Sequence, residues 1–197
     1  MTTQRPPISR AQLMVYMMIF VVVPVVTYVT GSWVDQLFSL PAFPPFPVNL
    51  LIGFTVFYVG LKMGIRSTKM LYRRGLGLPW GEARKDVETS RLVVTGPYAY
   101  TRNPMILGYS LLPCGMGLMF RSIGMSTTIP LVVVLINLAI VKLREESHLE
   151  ERFGQEYLDY KRSTPFLFPE LGNIPHLIVE SLKIESEEET SQNGEST

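Results

Sequence analysis

The residues able to do chemistry fall in two blocks about forty positions apart. The first is Gly96-Pro97-Tyr98-Ala99-Tyr100-Thr101-Arg102-Asn103-Pro104-Met105-Ile106-Leu107-Gly108, a polar, aromatic turn running straight into an apolar segment. Asn103 is suited to cap a helix, its side-chain oxygen accepting a first-turn N–H. Pro104 suits the first helical position, where no N–H is needed and φ is already right. A helix is therefore predicted to begin at Pro104, with free N–H groups and the positive end of its dipole facing the turn. Such an end attracts a carboxylate or phosphate, although an ordinary membrane-helix entry carries the same residues. The second block holds Glu145-Glu146 at the end of another apolar segment, then His148, Leu149, Phe153-Gly154 and Tyr157-Leu158-Asp159-Tyr160. The glutamates are acceptors for an ammonium or for hydroxyls, and Glu146 and His148 are the candidate bases. A solvated helix end would carry the same glutamates.

Taken together, GPYAYTRNPM and EESHLEERFGQEYLDY resemble the membrane methyltransferase superfamily of isoprenylcysteine carboxyl methyltransferases and phospholipid (phosphatidylethanolamine) methyltransferases. The family pattern reads G-x-Y, then R-(H/N)-P, then E-E-x-x-L-x-x-x-F-G-x-x-Y-x-x-Y, and it covers about Leu92 to Pro169. The resemblance implies S-adenosylmethionine as cofactor. It implies contacts to that cofactor from Leu92, Val93, Tyr98, Arg102, Asn103, Pro104, Met105, Ile106 and Glu145, with Glu146 either beside the cofactor or paired to Arg102. No metal is implied.

These residues must be positioned by helices in an apolar medium. Of the 197 residues, 47% are hydrophobic and only 18% charged, and the apolar ones come in blocks too long for a soluble core. Ala11–Thr30 has no charge over a length that can span a bilayer. Val48–Ile65 holds only Lys62, near its end, where the side chain can snorkel. Pro104–Phe120 and Ser126–Val141 are uncharged and shorter, a tight hairpin joined by residues 121–125. The expected architecture is all-α and polytopic, with four transmembrane helices. One domain is expected over residues 1–184, its cofactor-binding part at about 90–169, followed by a disordered acidic tail over 185–197. The first segment reads as an anchor rather than a cleaved signal, its apolar run being too long and without a small-x-small site.

Orientation follows from the basic residues. Arg5 and Arg10 precede the first span, and the connection Gly31–Pro47 has neither Lys nor Arg. The connection from Arg66 to Arg102 has eight, and the C-terminal portion has Lys142, Arg144, Arg152, Lys161, Arg162 and Lys183. The positive-inside rule places both termini and both motif blocks in the cytoplasm. The proline- and aromatic-rich connection, with Trp33, Phe38, Phe43 and Phe46, is expected to be non-helical and interfacial. Basic residues of the second connection either hold lipid headgroups or merely set topology. Gly60 and Gly64 are spaced for close helix approach, within the chain or between chains. A net charge of +1 argues against a nucleic-acid partner, and the single Cys114 excludes a disulfide framework.

Methyl transfer from a sulfonium is an in-line displacement, needing the acceptor about 3 Å from the methyl and water excluded. Asn137, Val141, Glu145 and His148 share one helical face, and Asn137 is expected to find its hydrogen bonds on a neighbouring helix or a ligand. By resemblance, Tyr98 flanks the adenine or sulfonium. Two departures bear on the acceptor: the isoprenylcysteine branch has histidine at Asn103 and tyrosine at Ile106. It also has a carboxylate-holding arginine where this chain has Val141. Asn103-Pro104-Met105 follows the phospholipid branch. A phospholipid headgroup amine or other small lipid is therefore the expected acceptor. A prenylcysteine carboxylate is the alternative, and a non-catalytic membrane scaffold or hydrophobic-ligand-binding protein the alternative of another class.

Overall fold

Glycine decides how the two central helices meet. The computed structural model describes residues 21–74, 91–142 and 146–183. Within them, Val48–Arg74 (α2) and Pro104–Met119 (α3) pack along a stripe of Gly53, Gly60 and Gly64 against Gly108 and Gly115. A Cβ at Gly108 would lie 2.7 Å from the Gly64 amide nitrogen and 2.9 Å from the Gly60 carbonyl, and one at Gly115 would lie 2.6 Å from the Phe57 amide. Backbone, not flexible side chain, occupies that space, so the helices approach closely because nothing but hydrogen stands between them. The Gly60–Gly64 spacing thus serves contact within the chain.

Val23–Leu37 (α1) and Ile123–Ile140 (α4) complete the bundle. Ser122 caps α4, its Oγ accepting the Met125 N–H at 2.9 Å. Asp35 of α1 accepts the Gly124 N–H at 2.7 Å, which sets a carboxylate at the positive end of the α4 dipole. Gly31 and Gly124 let α1 lie against that first turn. Trp33 is therefore helical, against the expectation that residues 31–47 are irregular throughout. Nothing from Ser32 to Leu37 breaks a helix, and Asp35 is held in place by its bond to α4. The irregular connection starts after Leu37 and is tied to Arg121, whose Nε donates to the Pro44 carbonyl at 3.0 Å. Likewise α2 runs nine residues beyond Ile65, to Arg74, the last described residue of this stretch.

Two of the described helices, Val48–Arg73 and Ile123–Ile140, are long and apolar enough to cross a bilayer; Pro104–Met119 is shorter. The first half of the expected first span, Ala11–Phe20, and the acidic tail from Glu185 lie outside the described residues. Leu51, Phe54 and Tyr58 of α2 and Leu131, Leu135 and Ile136 of α4 point outward, a surface suited to an apolar medium. Asn137 donates to the Val133 carbonyl one turn back at 2.8 Å, so its amide is satisfied within its own helix rather than by a neighbour.

The remainder gathers at the end of the bundle where α2 finishes and α3 starts. Gly96–Ala99 is a short 3₁₀ turn. Glu146–Phe153 (α5), Gln155–Ser163 (α6) and Ile174–Leu182 (α7) are short helices, and among the described residues there is no strand. Gly154, at φ +53°, breaks α5 from α6; only glycine takes this conformation without strain. The aromatic stripe Leu149–Tyr160 is therefore bent over two helices.

Candidate functional site

The helix at Pro104 begins as expected, but its entry is fastened from afar. Arg102 N–H donates to the Pro165 carbonyl at 2.9 Å, the Asn103 amide Nδ2 donates to the Phe166 carbonyl at 2.9 Å, and Thr101 Oγ1 donates to the Leu167 carbonyl at 2.8 Å. Three consecutive residues are thus sewn to three consecutive carbonyls. This corrects the expected cap. The Asn103 side chain makes no capping bond; its Nδ2 donation to the Phe166 carbonyl holds the side chain toward that segment instead. Its backbone carbonyl still accepts from Leu107 at 3.2 Å. The N–H groups of Met105 and Ile106 precede the i→i−4 ladder and have no partner within the helix.

Arg102 then reaches across to the second block. Its Nη1 meets Glu146 Oε1 at 2.5 Å and donates to the Tyr157 hydroxyl at 3.2 Å, and its guanidinium lies 5.2 Å from the centre of the Phe166 ring. The Arg102 and Glu146 side chains are 10% and 11% exposed, so this pair is shielded and geometrically specific. Lys161 Nζ adds a second cation 3.1 Å from Glu146 and also bonds Glu150. Those bonds, to Glu150 first and Glu146 second, push the Lys161 ammonium above its ordinary value. Burial pushes the Tyr157 hydroxyl up, with nearby Arg102 opposing. Burial raises Tyr160 further. Both phenols stay neutral, and Tyr160 donates to the Tyr98 carbonyl at 2.6 Å. Arg102 Nε is buried and has no partner among the described residues.

The turn before Arg102 is equally constrained. Gly96 has φ +63°, a backbone conformation that L side chains rarely adopt, so the leading glycine of the motif is required there, with the flexible end of the Met70 side chain resting against it. Val93 and Tyr98 pack with Met70, the Tyr98 hydroxyl donates to the Ser67 carbonyl at 3.3 Å, and Leu92 is half-buried beside them. Pro104 is fully buried, and Met105 Sδ stands 3.2 Å from Thr68 Oγ1. Ile106 packs with Val141 and Leu167.

Of the expected site residues, then, Arg102 and Glu146 meet directly. Asn103, Pro104, Met105 and Ile106 form the helix start next to them, and Leu92, Val93 and Tyr98 line the turn below. His148 is half-buried on α5. Glu145 lies outside the described residues. Sequence reasoning missed Lys161 and the Pro165–Leu167 carbonyls. The proline-flanked run Pro165–Pro169 was a legible sign of extended chain, but no spacing links it to residue 102.

Comparison with known proteins fits these two blocks. The nickel-cobalt-cadmium resistance protein NccN of Alcaligenes xylosoxydans xylosoxydans is 36% identical over 85 residues, 43% of this chain and 39% of that one. The cobalt-zinc-cadmium resistance protein CzcN of Cupriavidus metallidurans is 31% identical over 85 residues, 43% of this chain and 38% of that one. The chain thus spans well under half the length of these relatives, and no solved structure matches it. The family model described as phospholipid methyltransferase matches residues 48–156, from the first residue of α2 into α6, through the first motif block and most of the second. That is more than half of the sequence, and the chain belongs to the phospholipid methyltransferase family.

Proposed function

We propose that the chain is an integral membrane enzyme that transfers a methyl group from S-adenosylmethionine to a lipophilic acceptor at the cytosolic face. The acceptor favoured by Asn103-Pro104-Met105 is a phospholipid headgroup amine or other small lipid. The observation that carries this reading is the Arg102–Glu146 contact, 2.5 Å across 44 positions of sequence, which joins the two halves of the family pattern beside the start of α3.

The residues present fit the cofactor. The amides of Met105 and Ile106 at the α3 N-terminus and the buried, unpartnered Arg102 Nε are donors for a carboxylate. Glu145 is assigned to its ammonium or ribose hydroxyls. S-adenosylmethionine, when bound, supplies an electrophilic methyl. The chain's own work is to orient and to exclude water: α3 and α4 wall the site with uncharged surface, and the Phe166–Leu167 segment seals its rim. Glu146 is engaged by Arg102 and Lys161 and holds the arginine in place. An amine acceptor must shed a proton, for which His148 or the lipid phosphate remains the candidate. The same reading puts both termini in the cytoplasm. Cysteine labelling of residues near Glu88 and Glu187 from outside intact cells would refute that orientation.

Binding of S-adenosylhomocysteine to detergent-purified protein tests the function, followed by a radiolabelled-methyl screen over total lipid extract. Saturable binding is expected, and its absence at high ligand concentration favours a scaffold. Glu145→Gln removes a hydrogen bond to charge worth about 1.5–3 kcal/mol, so affinity should fall roughly ten- to a hundredfold, while Glu151→Gln leaves it unchanged. A parent-like affinity in Glu145→Gln would detach the glutamate pair from the cofactor.

A further inference from the structure

The C-terminal segment beyond the family match carries an apolar face that no other part of the described chain covers. Helix α7 docks on the bundle through Leu177 and Ser181, which are fully buried. Its end is latched by Arg66 of α2, whose Nη1 donates to the Lys183 carbonyl at 3.0 Å and whose Nη2 lies 3.7 Å from Glu180. Its start is held by His176, whose ring stacks on Tyr100 at 6.2 Å and 13°. On the opposite side Leu171, Pro175 and Val179 recur every four residues. Leu171 is 86% exposed, Val179 58%, and Phe168 just before them 70%. Ile174 is also exposed.

Depth identifies what this face meets. Arg66 is the nineteenth residue of α2, and the eighteen helical steps from Val48 to it rise about 27 Å, close to the roughly 30 Å of a bilayer's hydrocarbon core. The exposed residues of α2 from Val48 to Ile65 are apolar except Thr55, whose hydroxyl donates to the Leu51 carbonyl one turn back, and half-buried Lys62 stands one turn before Arg66; beyond Arg66 come exposed Lys69 and Arg73, with Tyr72 between them, exposed as well. That sequence of apolar, aromatic and basic residues marks a membrane–water border. Because α7 is latched to Arg66, it lies at that border. Nine residues cannot cross a bilayer, but they can lie in its plane. Charged residues of the segment are paired rather than free: Glu180 with Arg66 and Lys183, and Glu170 with Asn173 at the turn beside Leu171.

We propose that Phe168–Lys183 is an interfacial element, with Phe168, Leu171, Ile174 and Val179 inserted into the acyl boundary of the leaflet bordering the site. Its partner is a lipid surface. The stack on Tyr100 and the latch to Arg66 couple that insertion to the Gly96–Arg102 turn. The inference rests on the reading that the bundle spans a bilayer, and its test separates the two.

Nitroxide labels are placed singly at Leu171→Cys, Val179→Cys, Leu131→Cys and Asp159→Cys. The full chain, carrying Cys114→Ala, is held in bilayer discs of phosphatidylcholine and phosphatidylglycerol. Collisions with oxygen and with a water-soluble nickel chelate are compared. Leu131, outward on α4, sets the lipid reference, and Asp159, exposed on α6, the aqueous one. Labels at Leu171 and Val179 are expected to favour oxygen and fall on the lipid side of the midpoint between the references. Values equal to Asp159 overturn the proposal. Shielding from both reagents also overturns it, since a second copy or another segment of the chain then covers the face. If Leu131 itself favours the chelate, the bilayer reading fails and takes the proposal with it. Leu171 and Val179 make so little contact that these substitutions leave the docking of α7 intact.

Discussion

Removing either member of the Arg102–Glu146 pair should cost at least as much as removing both. The two side chains meet at 2.5 Å with about a tenth of each exposed. Two charges about 4 Å apart in a medium of intermediate dielectric attract by about 4 kcal/mol, which offsets the desolvation each has undergone. Arg102→Met leaves Glu146 with Lys161 alone, at 3.1 Å and half in solvent. Glu146→Leu leaves a shielded guanidinium against the Tyr157 hydroxyl and the Phe166 ring. Stranding one partner of a buried pair costs about 3–5 kcal/mol, and the remaining neighbours put each single change at the low end, about 3 kcal/mol. The double replacement strands nothing, because Lys161 keeps Glu150. Its cost should therefore not exceed that of one single change, about 3 kcal/mol, giving a coupling of at least about 3 kcal/mol. Reversible unfolding in mixed micelles measures the cycle. A double variant destabilised by the sum of the singles, within about 0.5 kcal/mol, would refute the claim that the pair acts as a unit. Cofactor affinity should follow a different pattern: every variant lacking Arg102 loses it, since the free Nε goes with the side chain.

Gly108→Ala places a methyl against the backbone of Gly60 and Gly64, so overpacking should destabilise the fold by about 1–3 kcal/mol; thermal unfolding in detergent, with Gly172→Ala as a neutral control, checks this. Lys161 has a raised pKa when folded, so its contribution is full below the unfolded value of about 10.4 and fades as pH rises through the folded one. Melting temperatures of the parent and Lys161→Met should differ near neutral pH and converge in strong alkali; a constant gap refutes the assignment.

What the chain made legible is local. Asn103-Pro104 marks a helix start by its own chemistry, and the uncharged runs of α3 and α4 mark apolar helices, although α4 starts at Ile123, three residues before the expected Ser126, because Ser122 caps it. What stayed hidden depends on distant chain. The Asn103 side chain changes its role because its amide donates to a carbonyl 63 residues away. Residues 32–37 look like the edge of a loop until Asp35 is seen bound to the first turn of α4. Helix α7 was overlooked although Ile174, Leu177, Ile178 and Ser181 follow helical spacing. The glycines of α2 and α3 could be counted, but their pairing is a property of two helices together.

The position of Arg102 explains why the site needs chain outside the matched family region. The match ends at Glu156, one residue short of Tyr157. Yet Tyr157, Lys161 and the Pro165–Leu167 carbonyls are what keep Arg102 and Glu146 in register. An arginine fixed only by its ion pair could swing with α5. This one is held through its backbone N–H, through Nη1 to a carboxylate and a phenol, and by an aromatic ring beside its plane. Such rigidity is costly to build and contributes to a reaction only where geometry is the catalyst. An in-line methyl displacement is that case: it needs no covalent nucleophile, but it depends on a separation of about 3 Å. On the proposed reading, most of the binding geometry therefore resides in a rim of short helices and the Pro165–Leu167 connection, while the apolar bundle supplies the floor on which they stand.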